Sequence, residues 1–176
     1  VRVLSRQGEA PGPRFFQERL AKALALRREM LPGEESFRLC YGESDGLPGL
    51  IIDKYGSILV AQVLSAGIER FWPDIQKALV ELFDPKGILL RNDNELRKLE
   101  GLKTGISVAC GEVPDTLEIQ DGGLRFRMAP ASGQKTGYYL DQRMNRQFLK
   151  PFFKDRAVLD LYCYLGAFSV TAFWWR

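Results

Sequence analysis

The stretch richest in chemical possibility is Val158-Leu159-Asp160-Leu161-Tyr162-Cys163-Tyr164-Leu165-Gly166-Ala167-Phe168-Ser169. An apolar run from Ala157 to Leu161 has strand character, ends at a carboxylate, turns, reaches a glycine and opens a helix near Phe168. In a doubly wound α/β sheet the loop after the first strand is where ligands dock. Gly166 lets backbone approach a ligand, and the helix start offers unpaired N–H groups. Asp160 disfavours a phosphate but suits a cationic or hydroxyl-rich ligand, such as one with an ammonium and a sulfonium. The pattern therefore fits S-adenosylmethionine better than NAD, whose pyrophosphate calls for three glycines spaced GxGxxG. The same letters also describe a buried strand ending in a plain glycine turn, with Asp160 as a helix cap.

Charge gathers just upstream. Residues 125–156 hold Arg125, Arg127, Lys135, Arg143, Arg146, Lys150, Lys154 and Arg156 against Asp141 and Asp155, an excess of +6 in a chain of net charge +3. Such a block is a footprint for a polyanion, and equally the ordinary dress of a solvated basic face. The chain has no histidine, which excludes His-ligated metals, the Ser-His-Asp triad and the commonest general base. Cys40, Cys110 and Cys163 are odd in number and no two stand close, so neither a CxxC pair nor a zinc knuckle is present. Free cysteines of this kind suit a reducing, cytoplasmic setting. No apolar run is long enough to cross a membrane as a helix, and Val1–Arg6 is too short and too charged for a secretion signal.

These residues need elements to position them. The 176 residues are enough to bury a core. Val1–Arg6 alternates like a strand end, and Gln7–Pro13 reads as linker. Pro13 opens a helix to about Met30 with Phe16, Leu20 and Leu24 inward. Strands follow at Phe37–Tyr41, Leu50–Tyr55 and Ser57–Leu64, the last two joined at Gly56. A helix over 73–83 turns Ile75, Leu79 and Leu82 inward. Gly87–Arg91 is a strand, Leu96–Gly101 a helical turn, and Leu117–Gln120 with Leu124–Met128 a hairpin about Asp121-Gly122-Gly123. Together these predict one α+β domain over about 14–130. Beyond Ser132 a polar glycine-bounded loop leads to an amphipathic helix, Asp141–Lys150, whose Leu140, Met144 and Phe148 stripe is expected to face a core. Ala157–Leu161 is expected as a buried strand.

Gly133-Gln134-Lys135-Thr136-Gly137-Tyr138-Tyr139-Leu140-Asp141-Gln142-Arg143 ends 17 residues before Asp160. With Asp160–Ser169, Gly42–Gly56, Gly87–Asp93 and Arg97–Gly101, it makes the chain resemble the ribosomal RNA cytosine-5 methyltransferases. That family carries an N-terminal PUA domain, a central α+β domain and a C-terminal S-adenosylmethionine-dependent catalytic domain. The motifs stand in the family's order, and the resemblance runs from Val1 to Ala172. It implies the end of a PUA-like domain and a linker at 1–13 and an α+β central domain at 14–130. The start of an α/β Rossmann-like methyltransferase domain would follow at 131–176, truncated.

The resemblance implies a parent enzyme that methylates C5 of a cytosine in large-subunit ribosomal RNA, this chain being a fragment of it and inactive alone. Lys135, Thr136, Tyr138, Asp141, Arg143, Asp160 and Gly166 would line the cofactor side, and Arg125, Arg127, Arg146 and Lys150 would hold RNA. A cysteine thiolate could add to a cytosine ring, yet the resemblance places no nucleophile where Cys163 stands, so no catalytic residue is expected within the chain. Ribosomal RNA is the expected partner, with no metal and no membrane. An unpaired strand 157–161 and Trp174 with Trp175 would favour a homodimer. Two other readings fit the same residues: a non-catalytic RNA-binding module, and a structural domain that self-associates.

Overall fold

A computed structural model of the chain describes residues 3–6, 8 and 10–175. Helix α1 (Pro13–Met30) begins at a proline, whose missing N–H does no harm in a first turn, and places Arg27 and Arg28 in its last turn. Both cations sit well against the negative end of the helix dipole. Its Phe16, Leu20 and Leu24 are buried, as the four-residue spacing predicts.

Strand β1 (Ser36–Tyr41), β2 (Leu50–Tyr55) and β3 (Ile58–Val63) form an antiparallel meander. Tyr55 pairs directly with Ile58 across a tight turn in which Gly56 takes a φ of 58°, a conformation that favours glycine. Helices α2 (Ala66–Arg70) and α3 (Trp72–Phe83) then carry the chain to β4 (Gly87–Asn92), which lies parallel to β3. The side-chain oxygen of Ser65 accepts the Ile68 N–H and caps α2. After the short α4 (Leu96–Leu99), β5 (Gly105–Gly111) closes the sheet antiparallel to β4, giving the order β1-β2-β3-β4-β5. A separate hairpin, β6 (Leu117–Asp121) with β7 (Leu124–Met128), comes next.

The central strand explains the layering. All six residues of β3 are buried. Leu59, Ala61 and Val63 pack with Phe16, Leu20, Ile75 and Leu79 of α1 and α3 on one face. Ile58 and Val60 pack on the other face with Ile119, Phe126 and Met128 of the hairpin and with Tyr138 and Leu140. A strand buried on both sides needs apolar residues throughout, and this one departs from that only at Gln62.

Several expectations change. Strand β5 carries no deep burial and so lacks the strong pattern of the inner strands. Val3–Arg6 form no strand, and Val1 and Arg2 lie outside the described residues. Residues 157–161 belong to no strand, Leu161 lies in a turn, and the segment is largely exposed; a ladder needs a hydrogen-bonded neighbour, and among the described residues none pairs with them. Helix α5 (Arg143–Leu149) is turned over relative to its apolar stripe. Met144 and Phe148 are 68% and 70% exposed, whereas Arg143 and Arg146 are buried. Only Leu140 of the stripe faces a core. Helix α6 (Ala167–Trp174) is the last element, with Trp175 as its C-cap.

The start of β4 is packed without slack. A Cβ on Gly87 would stand 2.2 Å from the Glu112 carbonyl oxygen and 2.8 Å from Val113. Gly87→Ala should lower stability by about 1–3 kcal/mol, the range for forced overpacking. A Cβ on Gly67, inside α2, would meet nothing within 4 Å, so Gly67→Ala should raise stability by about 0.5–1 kcal/mol. Urea unfolding of both variants checks the contrast.

Candidate functional site

The segment after β7 is held to the sheet by three buried ionic groups. From β4, Arg91 donates to the carbonyls of Pro130 at 2.6 Å and Gly133 at 3.0 Å, and it makes two bonds to Asp93. Arg91 holds the Asp93 carboxyl below the usual carboxylate range. From β2, Asp53 accepts both forks of the Arg38 guanidinium at 2.9 Å and the hydroxyl of the buried Thr136. Tyr55 stands 3.3 Å from that hydroxyl, and burial, with Asp53 near, raises its phenol well above the ordinary tyrosine value.

The third group is Asp121, the last residue of β6. It accepts from Arg143 Nε at 2.5 Å, from Tyr138 OH at 2.8 Å and from Arg146. Arg143 also donates to the Ser36 carbonyl of β1 at 2.7 Å and pairs with Glu34 at 3.2 Å. Burial alone would raise the Asp121 carboxyl. The Arg143 hydrogen bond and the Arg146 charge overcome it and hold the carboxyl below its usual range. The same burial, with Asp121 beside it, raises the Tyr138 phenol. This triad explains the turned-over helix: Arg143 and Arg146, three apart on one face, turn toward the buried carboxylate and carry Met144 and Phe148 outward.

On this base the 160–169 loop closes a cleft of about 730 Å³. Tyr164 donates to the Gly137 carbonyl at 2.9 Å and accepts the Gln134 N–H at 3.0 Å, stitching the loop to the segment. Its ring meets Tyr139 edge-on at 5.6 Å. Tyr138, Tyr139, Arg146, Asp160, Cys163 and Phe168 are among the lining residues. The Arg146 guanidinium lies 5.1 Å from the Tyr138 ring centre and 5.7 Å from that of Phe168. Asp160 Oδ2 accepts the Ser169 N–H at 3.1 Å and its hydroxyl at 2.7 Å, so Asp160 caps the first turn of α6 across the loop. Gly166, the N-cap of α6, has a φ of 69°, and a Cβ there would meet nothing within 4 Å. Tyr162 and Tyr164 also take positive φ. Such conformations in non-glycine residues are costly and gather at ligand-binding loops.

The sequence-derived candidates divide. Tyr138, Asp160 and the inward Arg146 meet at this cleft, with Gly166 in its loop. Thr136 and Arg143 are buried anchors. Lys135 and Asp141 pair at 3.3 Å and line a different cleft. Among the basic residues, Arg125 and Arg127 are exposed on β7 and Lys150 lies 4.3 Å from the Trp175 ring centre; Arg146, expected on the surface, is buried against Asp121. Cys163 is exposed, and Cys40 is buried with its thiol pushed up to about 12 by burial. Among the described residues no group of His, Cys, Asp and Glu is placed to hold a metal ion, and no helix is long and apolar enough to cross a membrane. Sequence spacing does not point to Asp121, Asp53 or Arg91 as site residues; the one hint is two arginines at helical spacing with no carboxylate on their own face.

Residues 100–174 match the S-adenosylmethionine-dependent methyltransferase family. The chain is 42% identical over 165 residues to ribosomal RNA large subunit methyltransferase I of Pseudoalteromonas atlantica, covering 93% of this chain and 42% of that protein. It is 37% identical over 175 residues to the protein of the same name from Vibrio vulnificus, covering 98% of this chain and 44% of that one. The chain thus spans well under half the length of the curated relatives it matches. A structure described as a SAM-dependent methyltransferase from Streptococcus mutans superposes with a TM-score of 0.80, at 22% identity, over 97% of this chain and 44% of that one. A methyltransferase structure complexed with SAH superposes at 0.82 with the same identity and coverage. At that identity the likeness lies in the fold.

Asp121→Asn would leave two buried guanidiniums without their anion. At pH 7 the variant should lose about 3–5 kcal/mol of stability, the cost of breaking a buried ion pair from one side. Because the folded carboxyl titrates below its unfolded value, its contribution is complete above about pH 4 and fades as pH falls through the lowered folded value. Urea unfolding from pH 7 downward should therefore show wild type and variant converging in acid.

Proposed function

From residues 100–174, which match a methyltransferase family that takes S-adenosylmethionine, we propose that the chain is the central domain and cofactor doorway of an enzyme methylating large-subunit ribosomal RNA. The observation that carries this is the loop 160–169, capped by Asp160 and stitched to 134–139 by Tyr164, closing a cleft beside a helix N-terminus. Asp160 keeps Oδ1 for a cationic group of the cofactor. Bound there, the cofactor supplies an electrophilic methyl group. Gly166 leaves room for close backbone approach. Thr136 and Arg143 act one step back, holding the loop through Asp53 and Asp121. Lys135 and Asp141 stand on the far side of the segment.

In this reading residues 1–13 close a PUA-like domain, 14–130 form the central domain and 131–176 begin the catalytic domain. The acceptor is C5 of a cytosine, and Arg125, Arg127 and Lys150 meet RNA phosphates. The enzyme works in the cytoplasm. In this reading the 176 residues alone turn nothing over.

Transfer of labelled methyl from S-adenosylmethionine to ribosomal RNA tests this. A protein extended to the relatives' length should transfer label and the 176-residue chain should not. Asp160→Ala in the extended protein should raise the cofactor KM about tenfold or more, as loss of a charged hydrogen bond implies, and leave RNA affinity unchanged. Unaltered cofactor KM in that variant would falsify the assignment of the cleft.

The exposed Phe148, Phe152 and Trp174 support a second reading, in which the isolated chain pairs with a copy through the α5 and α6 face. Sedimentation should show a dimer at high concentration that Trp174→Ser converts to monomer. A monomer throughout would end that reading.

A further inference from the structure

A second cleft of about 730 Å³ uses the other side chains of the 135–144 segment. It lies between the end of α1, the β1–β3 end of the sheet and α5. Met30, Ile51 and Met144 give it apolar walls. At its floor is Gln62, the one polar residue of β3. Gln62 is only 9% exposed, and among the described residues its side-chain amide makes no hydrogen bond. Among the described residues no buried side-chain nitrogen or oxygen lacks a partner, so the unbonded Gln62 amide atoms keep access to the cleft, where the edge of a ligand can meet them. Asn94, also in the wall, uses Oδ1 to accept the Leu96 N–H, which leaves its NH2 group for a ligand. Tyr41 is 53% exposed at the rim, with the Arg38 guanidinium 5.2 Å from its ring centre.

The charges narrow the occupant. Arg27 is forked onto Asp45, Arg38 onto Asp53, and Arg143 is held by Asp121. These cations are already met by their own carboxylates, so the cleft is not a funnel for polyanions. Only the Lys135 pair is exposed on both sides, at 3.3 Å from Asp141, and can exchange its partner. A ligand matched to this cleft is flat, largely neutral, edged with hydrogen-bonding groups, and carries about one negative charge. An apolar pocket with a few convergent polar groups is the usual form of such a site.

We propose that this cleft holds one unpaired nucleobase of the RNA, stacked on Tyr41, with the Gln62 amide on its edge, Asn94 beside it and a phosphate at Lys135. The inference rests on the RNA reading above and adds to it a base-reading subsite away from the cofactor cleft. Aromatic stacking with amide readout is how single-stranded RNA is recognised on sheet surfaces.

The test uses the 176-residue chain and a labelled single-stranded RNA of mixed sequence about 12 nucleotides long, within the span one such surface covers, followed by fluorescence anisotropy. Tyr41→Ala should weaken binding about tenfold, as loss of one stacked base implies, while Tyr41→Phe should bind as wild type. Gln62→Leu fills the same volume without an amide, so it should fold and yet bind at least several-fold more weakly. The wild-type to Gln62→Leu ratio should persist as salt rises, because it does not depend on counterion release. In NMR spectra the Gln62 side-chain NH2 signal should move on addition of RNA. RNA binding that Tyr41→Ala and Gln62→Leu leave unchanged would overturn the subsite and leave the RNA reading standing. No binding of RNA at all would overturn both.

Discussion

Asp121 carries a charge that must be buried before the rest of the segment can settle. It terminates β6, and it takes two guanidiniums and a phenol at once. Desolvating a carboxylate and two guanidiniums is unfavourable, and the attraction between them offsets it only where every donor finds an acceptor. Here Arg143 directs its remaining donors to the Ser36 carbonyl and Glu34, and Arg146 to the Tyr139 carbonyl. The hairpin, the edge of the main sheet, the Tyr138 loop and α5 are thereby tied at one point. Apolar burial alone would have set α5 the other way round, with Met144 and Phe148 inside.

The sheet supplies the second condition. Because β3 is buried on both faces, one face is committed to α1 and α3 and the other must be covered by the chain beyond β5. The hairpin and residues 138–140 provide that cover. Arg91 and Asp53, on strands either side of β3, then receive the Pro130–Thr136 stretch by its backbone and hydroxyl rather than by apolar contact. A loop fixed by hydrogen bonds in this way keeps one geometry while presenting little hydrophobic surface, which suits a segment with a cleft on either side.

The parts legible in the sequence are those with local causes. The α1 helix arises from Pro13 and the four-residue spacing, β2 and β3 from their β-branched runs about Gly56, and the hairpin from Asp121-Gly122-Gly123. The expectation of S-adenosylmethionine comes from the strand-end carboxylate and the glycine turn, and the family match at residues 100–174 agrees with it. The parts that are not legible depend on distant partners. Asp121 looks like a turn residue, and its role is set by Arg143 and Arg146, 22 and 25 positions on. The apolar stripe on 140–148 is a true pattern, but periodicity records only that one face is apolar; it does not say whether a stronger polar demand claims the other. Residues 157–161 have strand composition, and composition cannot supply a pairing neighbour. Asp160 takes the capping role its sequence allows, with one oxygen on the first turn of α6, and it also lines the cleft.

The two clefts share a wall. Tyr138 and Arg146 line the first, and Leu140 and Arg143 line the second, so residues 138–146 separate them with a different cleft on each side. Asp121 grips this wall through side chains that face both ways, and Asp53 anchors it through Thr136 while holding Arg38 at the rim of the second cleft. A wall fixed by fully matched buried charges resists small displacements, since moving either arginine strands an ion in a medium that solvates it poorly. The spacing between the two clefts is therefore set by Asp121 and Asp53. Neither residue lines either cleft, and each sets this spacing through the side chains it holds.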